Sequence, residues 1–132
     1  MLKIADIFFV VFHTALIFFN LFGWIWKRTR LANLVTLMLT AASWTVLGYF
    51  YNTPGYCPLT DWHFDVLHKL GERNMPSSYV KYLADRITGF DFDSILIDSL
   101  TLWLLVTALM ISLVLNAIAW YKLWKKKMQQ TY

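Results

Sequence analysis

The stretch Asn52–Asp65, NTPGYCPLTDWHFD, decides how this chain is divided. It separates two long apolar runs and holds the only cysteine and two of the three prolines. Asn52-Thr53-Pro54-Gly55 is turn chemistry and ends the helix before it. Pro58 biases Cys57 towards an extended backbone. Thr60 is then placed to cap a helix, with Asp61 at its positive end. That helix is expected from about Asp61 to Leu70, with Gly71 as its stop. Its faces differ in kind. Asp61, Asp65, His68 and Glu72 fall on one side, and His63, Val66, Leu67 and Leu70 on the other. His63 therefore lies in the apolar stripe, where a packed histidine with one partner is the plain reading, while His68 reads as a solvated histidine beside acids.

Upstream of this insert lie two apolar spans, Ile4–Trp26 and Leu31–Tyr51, and downstream lies a third, about 96–121. At about 1.5 Å of rise per residue each is long enough to cross a hydrocarbon core of roughly 30 Å. The chain is 58% hydrophobic and only 15% charged, more apolar surface than a soluble fold of 132 residues can hide. Basic residues follow the first run and, apart from Lys3, do not precede it, which argues for a retained span over a cleaved signal peptide. Asp6, His13 and Asn20 interrupt the first span at intervals of seven, so they form one stripe that should face protein and not lipid. In the second span Asn33, Thr36, Thr40, Ser43 and Leu47 share a face suited to close helix packing. In the third, Asp98, Thr101, Leu105, Ser112 and Asn116 do the same. The tail from Met128 is expected to fray.

The rest of the insert, to Ile95, is too short to span. Ser77 or Ser78 is placed to cap a second helix to about Thr88, ended by Gly89, with Val80, Leu83, Ile87 and Phe90 on its apolar face and Lys81, Asp85 and Arg86 elsewhere. Charge then sets topology. Lys27, Arg28 and Arg30 form one basic cluster, and Lys122 with Lys125–Lys127 another, whereas residues 53–95 carry four basic and six acidic side chains, a net −2. Both basic clusters mark the cytoplasmic side. The expected fold is an all-α membrane protein, one domain over residues 1–132. Three transmembrane helices run N-out and C-in, and one or two short amphipathic helices cap the outer side. The cations flank apolar spans and line no groove, which excludes a nucleic-acid footprint. Cys57 has no internal partner for a disulfide.

Cys57-Pro58-Leu59-Thr60, with Gly71 fourteen residues after the cysteine, resembles the motif of an uncharacterised family of small bacterial membrane proteins. His13 matches a histidine of that family's first span, and Asn116 an asparagine late in its last. Asp61-Trp62-His63-Phe64 looks like the pattern of a subgroup in which His63 replaces a glutamate, and Leu67 stands where the motif has an arginine. The resemblance implies a multi-pass protein of the bacterial inner (cytoplasmic) membrane and no established activity.

The polar side chains suggest a pocket opening outwards, built from Asp6, His13, His63 and Asp98, with Thr101, Trp62 and Asn116 as weaker candidates for substrate contact. Imidazoles and carboxylates coupled at low dielectric suit proton handling, general acid–base work or metal binding. Two of each make a zinc set. One enzymatic form is a hydrolase or transferase acting on a lipid head group, with His63 or His13 as base. Another is a haem protein with His13 as axial ligand. Cys57 as a catalytic thiol is a weaker reading, because no cation neighbours it. A different class stands beside these: a non-enzymatic membrane subunit whose stripes are helix glue and whose partner is another membrane protein or a second copy, in contact with the lipid bilayer.

Overall fold

A computed structural model describes residues 1–130. Helix α1 spans Leu2–Phe22 and α2 spans Arg30–Ala42. A π-helical turn, Ser43–Leu47, joins α2 to the short α3, Gly48–Phe50. After the insert's turns come α4, Pro58–Lys69, and α5, Tyr79–Thr88. The long α6 covers Ser94–Gln130. Three stretches, Leu2–Phe22, Arg30–Phe50 and Ser94–Gln130, are helices long and apolar enough to cross a membrane. No strand is present among the described residues.

The inward faces are polar and the outward faces apolar, the reverse of a soluble bundle. The residues of α1 that are buried are Asp6, His13 and Asn20, the stripe spaced by seven. Ile4, Ile7, Phe8 and Val11 beside them are exposed. On α6 the buried residues are Ala108, Ser112 and Asn116, each one turn from the next. Ser112 is fully buried, and α6 packs chiefly on α2, where Asn33 and Leu37 are also fully buried. Small and amide-bearing residues at this seam allow close approach and supply hydrogen bonds between helices.

The turn between α1 and α2 is held by such bonds. Asn33 Nδ2 donates to the carbonyls of Phe19 (2.7 Å) and Asn20 (3.2 Å), and Thr29 Oγ1 to that of Gly23. A Cβ on Gly23 would lie 2.6 Å from the Phe19 carbonyl oxygen and 2.9 Å from Asn33 Nδ2, so only glycine fits this crossing. Higher up, Asn20 Nδ2 donates to Thr40 Oγ1 at 3.0 Å. Asn116 Nδ2 donates to the Arg30 carbonyl at 3.2 Å, which brings the lysine-bearing half of α6 to the same end as the Lys27–Arg30 turn.

The opposite end carries the insert. Asn52 adopts positive φ, as its turn chemistry implies. Helix α4 starts at Pro58 with Cys57 as its extended N-cap residue, three residues before the expected start at Asp61. Proline at the first helical position uses a site with no N–H to lose, so Pro58 and not Thr60 sets the boundary. Ser78 caps α5, accepting from the Lys81 N–H, and Gly89 ends it in the left-handed region. The face of α5 is rotated from expectation. Tyr79, Lys81 and Leu83 are buried, whereas Ile87 and Phe90 are exposed. Lys81 is buried because Asp85 and Asp91 close on its ammonium. Met128–Gln130 are helical and continue α6, and residues 131 and 132 of the tail expected to fray lie outside the described residues.

Candidate functional site

Three helices meet at the insert end around Asp6. Arg86 of α5 clamps its carboxylate through both oxygens, Nη1 to Oδ1 at 2.7 Å and Nη2 to Oδ2 at 2.9 Å. His63 of α4 reaches the same carboxylate, Nε2 to Oδ1 at 2.8 Å. The other ring nitrogen of His63 lies 2.5 Å from the Tyr79 hydroxyl. Burial holds the Tyr79 hydroxyl above its ordinary pKa, so it remains a donor at neutral pH. Tyr79 then donates to Nδ1, and Nε2 carries the hydrogen that goes to Asp6; this assignment follows from the network. Arg86 is held even more firmly protonated, first through its bond to Asp6.

Aromatic rings close this cluster. His63 has no exposed surface, stacks on Phe9 at 5.3 Å between centroids, and meets Tyr79 and Tyr82 edge-on. Arg86 also donates to the Tyr82 hydroxyl and lies over its ring. Every acceptor and donor that Asp6 and His63 present inward is occupied. As built, this is a pin that fixes the cap to the first helix.

His13 is different. It lies two turns deeper, 92% buried since its relative exposure is 8%, and its ring stacks on Tyr79 at 4.1 Å. Its Nδ1 is buried with no hydrogen-bond partner, as is Asn20 Oδ1. Both residues line an apolar chamber of about 200 Å³ between α1, α2 and α6, with Leu16, Ile17, Leu104 and Leu105. A second, more polar cavity of about 740 Å³ lies under the cap. His13, Trp44, Cys57, Val80 and Thr101 line both, so they form the neck between them. Trp44 belongs to the π-helical turn, whose Ser43 donates to the Tyr56 carbonyl at 2.8 Å and ties that turn to the insert.

The family model for this chain matches residues 3–117, from the start of α1 to just past Asn116. The chain belongs to the family described as Protein of Unknown function (DUF2784). The match takes in the pin, the neck and both cavities. No curated protein and no solved structure matches the chain.

The four residues expected to share one pocket are divided. Asp6 and His63 bond directly, and His13 touches them only through Tyr79. Asp98 is exposed and belongs to the lining of the outer cavity, apart from that cluster. Among the described residues no three His, Cys, Asp or Glu side chains are placed to hold one metal ion, so the expected zinc set of His13, His63, Asp6 and Asp98 is not assembled. Thr101 lines both cavities. Trp62 is exposed and lines neither, and Asn116 is committed to the Arg30 carbonyl at the far end. His68 is exposed, with Nδ1 on the Glu72 carbonyl.

Arg86, Tyr79 and Tyr82 were not singled out in the sequence. A signal was there: they lie at i+7, i and i+3, hence on one face of α5. A buried Asp6 also requires a cation, and Arg86 supplies it.

Proposed function

We propose that this is a multi-pass protein of a bacterial cytoplasmic membrane that binds a lipid-like amphiphile, with the apolar part in the inner chamber and the polar part under the cap. The amino terminus and cap lie outside and the basic turn and tail inside, in line with the lysine and arginine distribution. The observation that carries the reading is His13, a buried imidazole with an unpartnered nitrogen in the neck between an apolar and a polar cavity. A buried polar atom without a partner is costly, by about 1–3 kcal/mol, and a ligand oxygen or hydroxyl at the neck relieves that cost. If the ligand is also transformed, His13 is the base: at the neck it can take a proton from a hydroxyl or water held beside it.

Purification in mild detergent followed by extraction and mass spectrometry tests this. The wild type is expected to carry a lipid-like molecule through purification, and Ile17→Trp, which fills the chamber, to lose it. Retention unchanged in Ile17→Trp, or nothing bound to the wild type, contradicts the reading. A second reading, a non-enzymatic subunit, is favoured by the bonds that Asp6, Asn33 and Asn116 make to other helices and turns, which behave as helix glue. Stoichiometric co-purification of another membrane protein with an empty chamber supports it.

A further inference from the structure

We propose that the outer cavity selects a zwitterionic head group, a phosphate ester carrying a primary amine, over an anionic or uncharged one. The inference rests on the amphiphile-binding reading and specifies its polar half.

Of the charged side chains that line the cavity, Asp61, Arg73 and Asp98, the last two are of opposite sign and do not neutralise one another. Asp98, in the first turns of α6, and Arg73, in the segment between α4 and α5, have no ion pair or hydrogen bond to a side chain among the described residues. Asp65, Lys69 and Glu72 on this side do not line the cavity, and two cations of the cap are engaged. Lys81 is held by Asp85 and Asp91, and Arg86 by Asp6. The Asp61 carboxylate sits beside Tyr56 and pushes its hydroxyl up to about 12. A carboxylate on a helix of membrane length, lining a cavity and unpaired, marks a place for a cation. Trp44, Tyr56 and Phe64 share the lining, and aromatic rings attract ammonium groups. Arg73 offers the planar fork that suits a phosphate. The second observation pointing to a ligand is His13, nine-tenths buried, unpartnered, and on the wall of the same cavity. A phosphate-linked amine meets both charges at once. A phosphate diester without the amine leaves Asp98 facing a like charge.

The test titrates the purified protein in nonionic detergent with phosphatidylethanolamine, phosphatidylglycerol and diacylglycerol of matched chains, read by native mass spectrometry. The ethanolamine lipid is expected to bind about five- to tenfold tighter than either other, the size of one partly solvated charge contact. Asp98→Asn should remove its advantage over phosphatidylglycerol. Arg73→Gln should weaken both phospholipids and leave diacylglycerol unchanged. Both side chains are exposed, so neither variant threatens the fold. Equal affinity for the three lipids, tighter binding of phosphatidylglycerol, or no effect of Asp98→Asn overturns the head-group assignment while amphiphile binding stands. No binding of any lipid overturns both.

Discussion

Replacing His63 by alanine tests whether the Asp6 cluster pins the cap. His63 is fully buried and makes two hydrogen bonds, to Asp6 at 2.8 Å and Tyr79 at 2.5 Å. Truncating a buried side chain of this size costs about 2–5 kcal/mol where the surroundings do not collapse. The Tyr79 hydroxyl, left without its acceptor, adds roughly 1–3 kcal/mol if water cannot reach it. Asp6 retains both bonds to Arg86, so it is not abandoned as a lone charge. The sum is taken near the low end, about 3–4 kcal/mol, because the cap can shift towards water. Arg86→Ala should cost about 2–4 kcal/mol: it leaves the largely buried Asp6 carboxylate without its cation, a loss reduced because the Arg86 side chain is 37% exposed and water screens the pair. If the pin alone holds α4 and α5, opening of the cap becomes about a hundredfold or more frequent in His63→Ala, at a factor of ten per 1.4 kcal/mol. Hydrogen exchange in lipid nanodiscs reads this directly, helix by helix. Amides of Pro58–Lys69 and Tyr79–Thr88 should exchange faster, with α1 and α6 unchanged. A double-mutant cycle with Asp6→Ala should show coupling of about 0.5–3 kcal/mol, because the two share a bond. Exchange of α4 within a factor of three of wild type, or additive losses in the cycle, would refute the pin.

Gly23→Ala should lower thermal stability by about 1–3 kcal/mol, because its Cβ meets backbone at 2.6 Å, and a scan in detergent checks it. In acid the attachment of α5 should weaken: Lys81, then the Phe92 N–H, hold the Asp85 carboxyl below its ordinary 3.8. A carboxyl depressed in the folded state contributes stability above 3.8 that is lost as pH falls through the lower, folded value. Hydrogen exchange of α5 across pH 2–5 should show this loss, reduced in Lys81→Gln. Elemental analysis of the purified protein should give no stoichiometric zinc, because among the described residues no three His, Cys, Asp or Glu side chains are placed to hold one ion.

Much of the architecture was legible because apolar length and interrupting polar residues are local properties. The interval of seven between Asp6, His13 and Asn20 foretold which face of α1 is buried. The hydroxyl and amide seam of the second and third spans was equally readable, since Asn33, Ser112 and Asn116 are buried as their spacing implies. What failed was pairing at a distance. Arg86 and Asp6 are eighty residues apart, and no periodicity within α5 says which span its arginine will meet. Asp98 shares a helical face with Ser112 and Asn116, yet it lies above the packed part of α6 and stays exposed. The π-helical turn at Ser43–Leu47 carries no composition signal, although it places Trp44 at the neck.

The central claim is that a lipid-like molecule occupies the space between α1, α2 and α6 beside His13. A photoactivatable phospholipid incorporated into nanodiscs with the protein, followed by peptide mapping, tests it most directly. The account predicts adducts on chamber-lining residues such as Ile17 and Leu105, lost in a variant whose chamber is filled. Labelling confined to outward residues such as Phe8 and Val114, and unchanged when the chamber is filled, would contradict it.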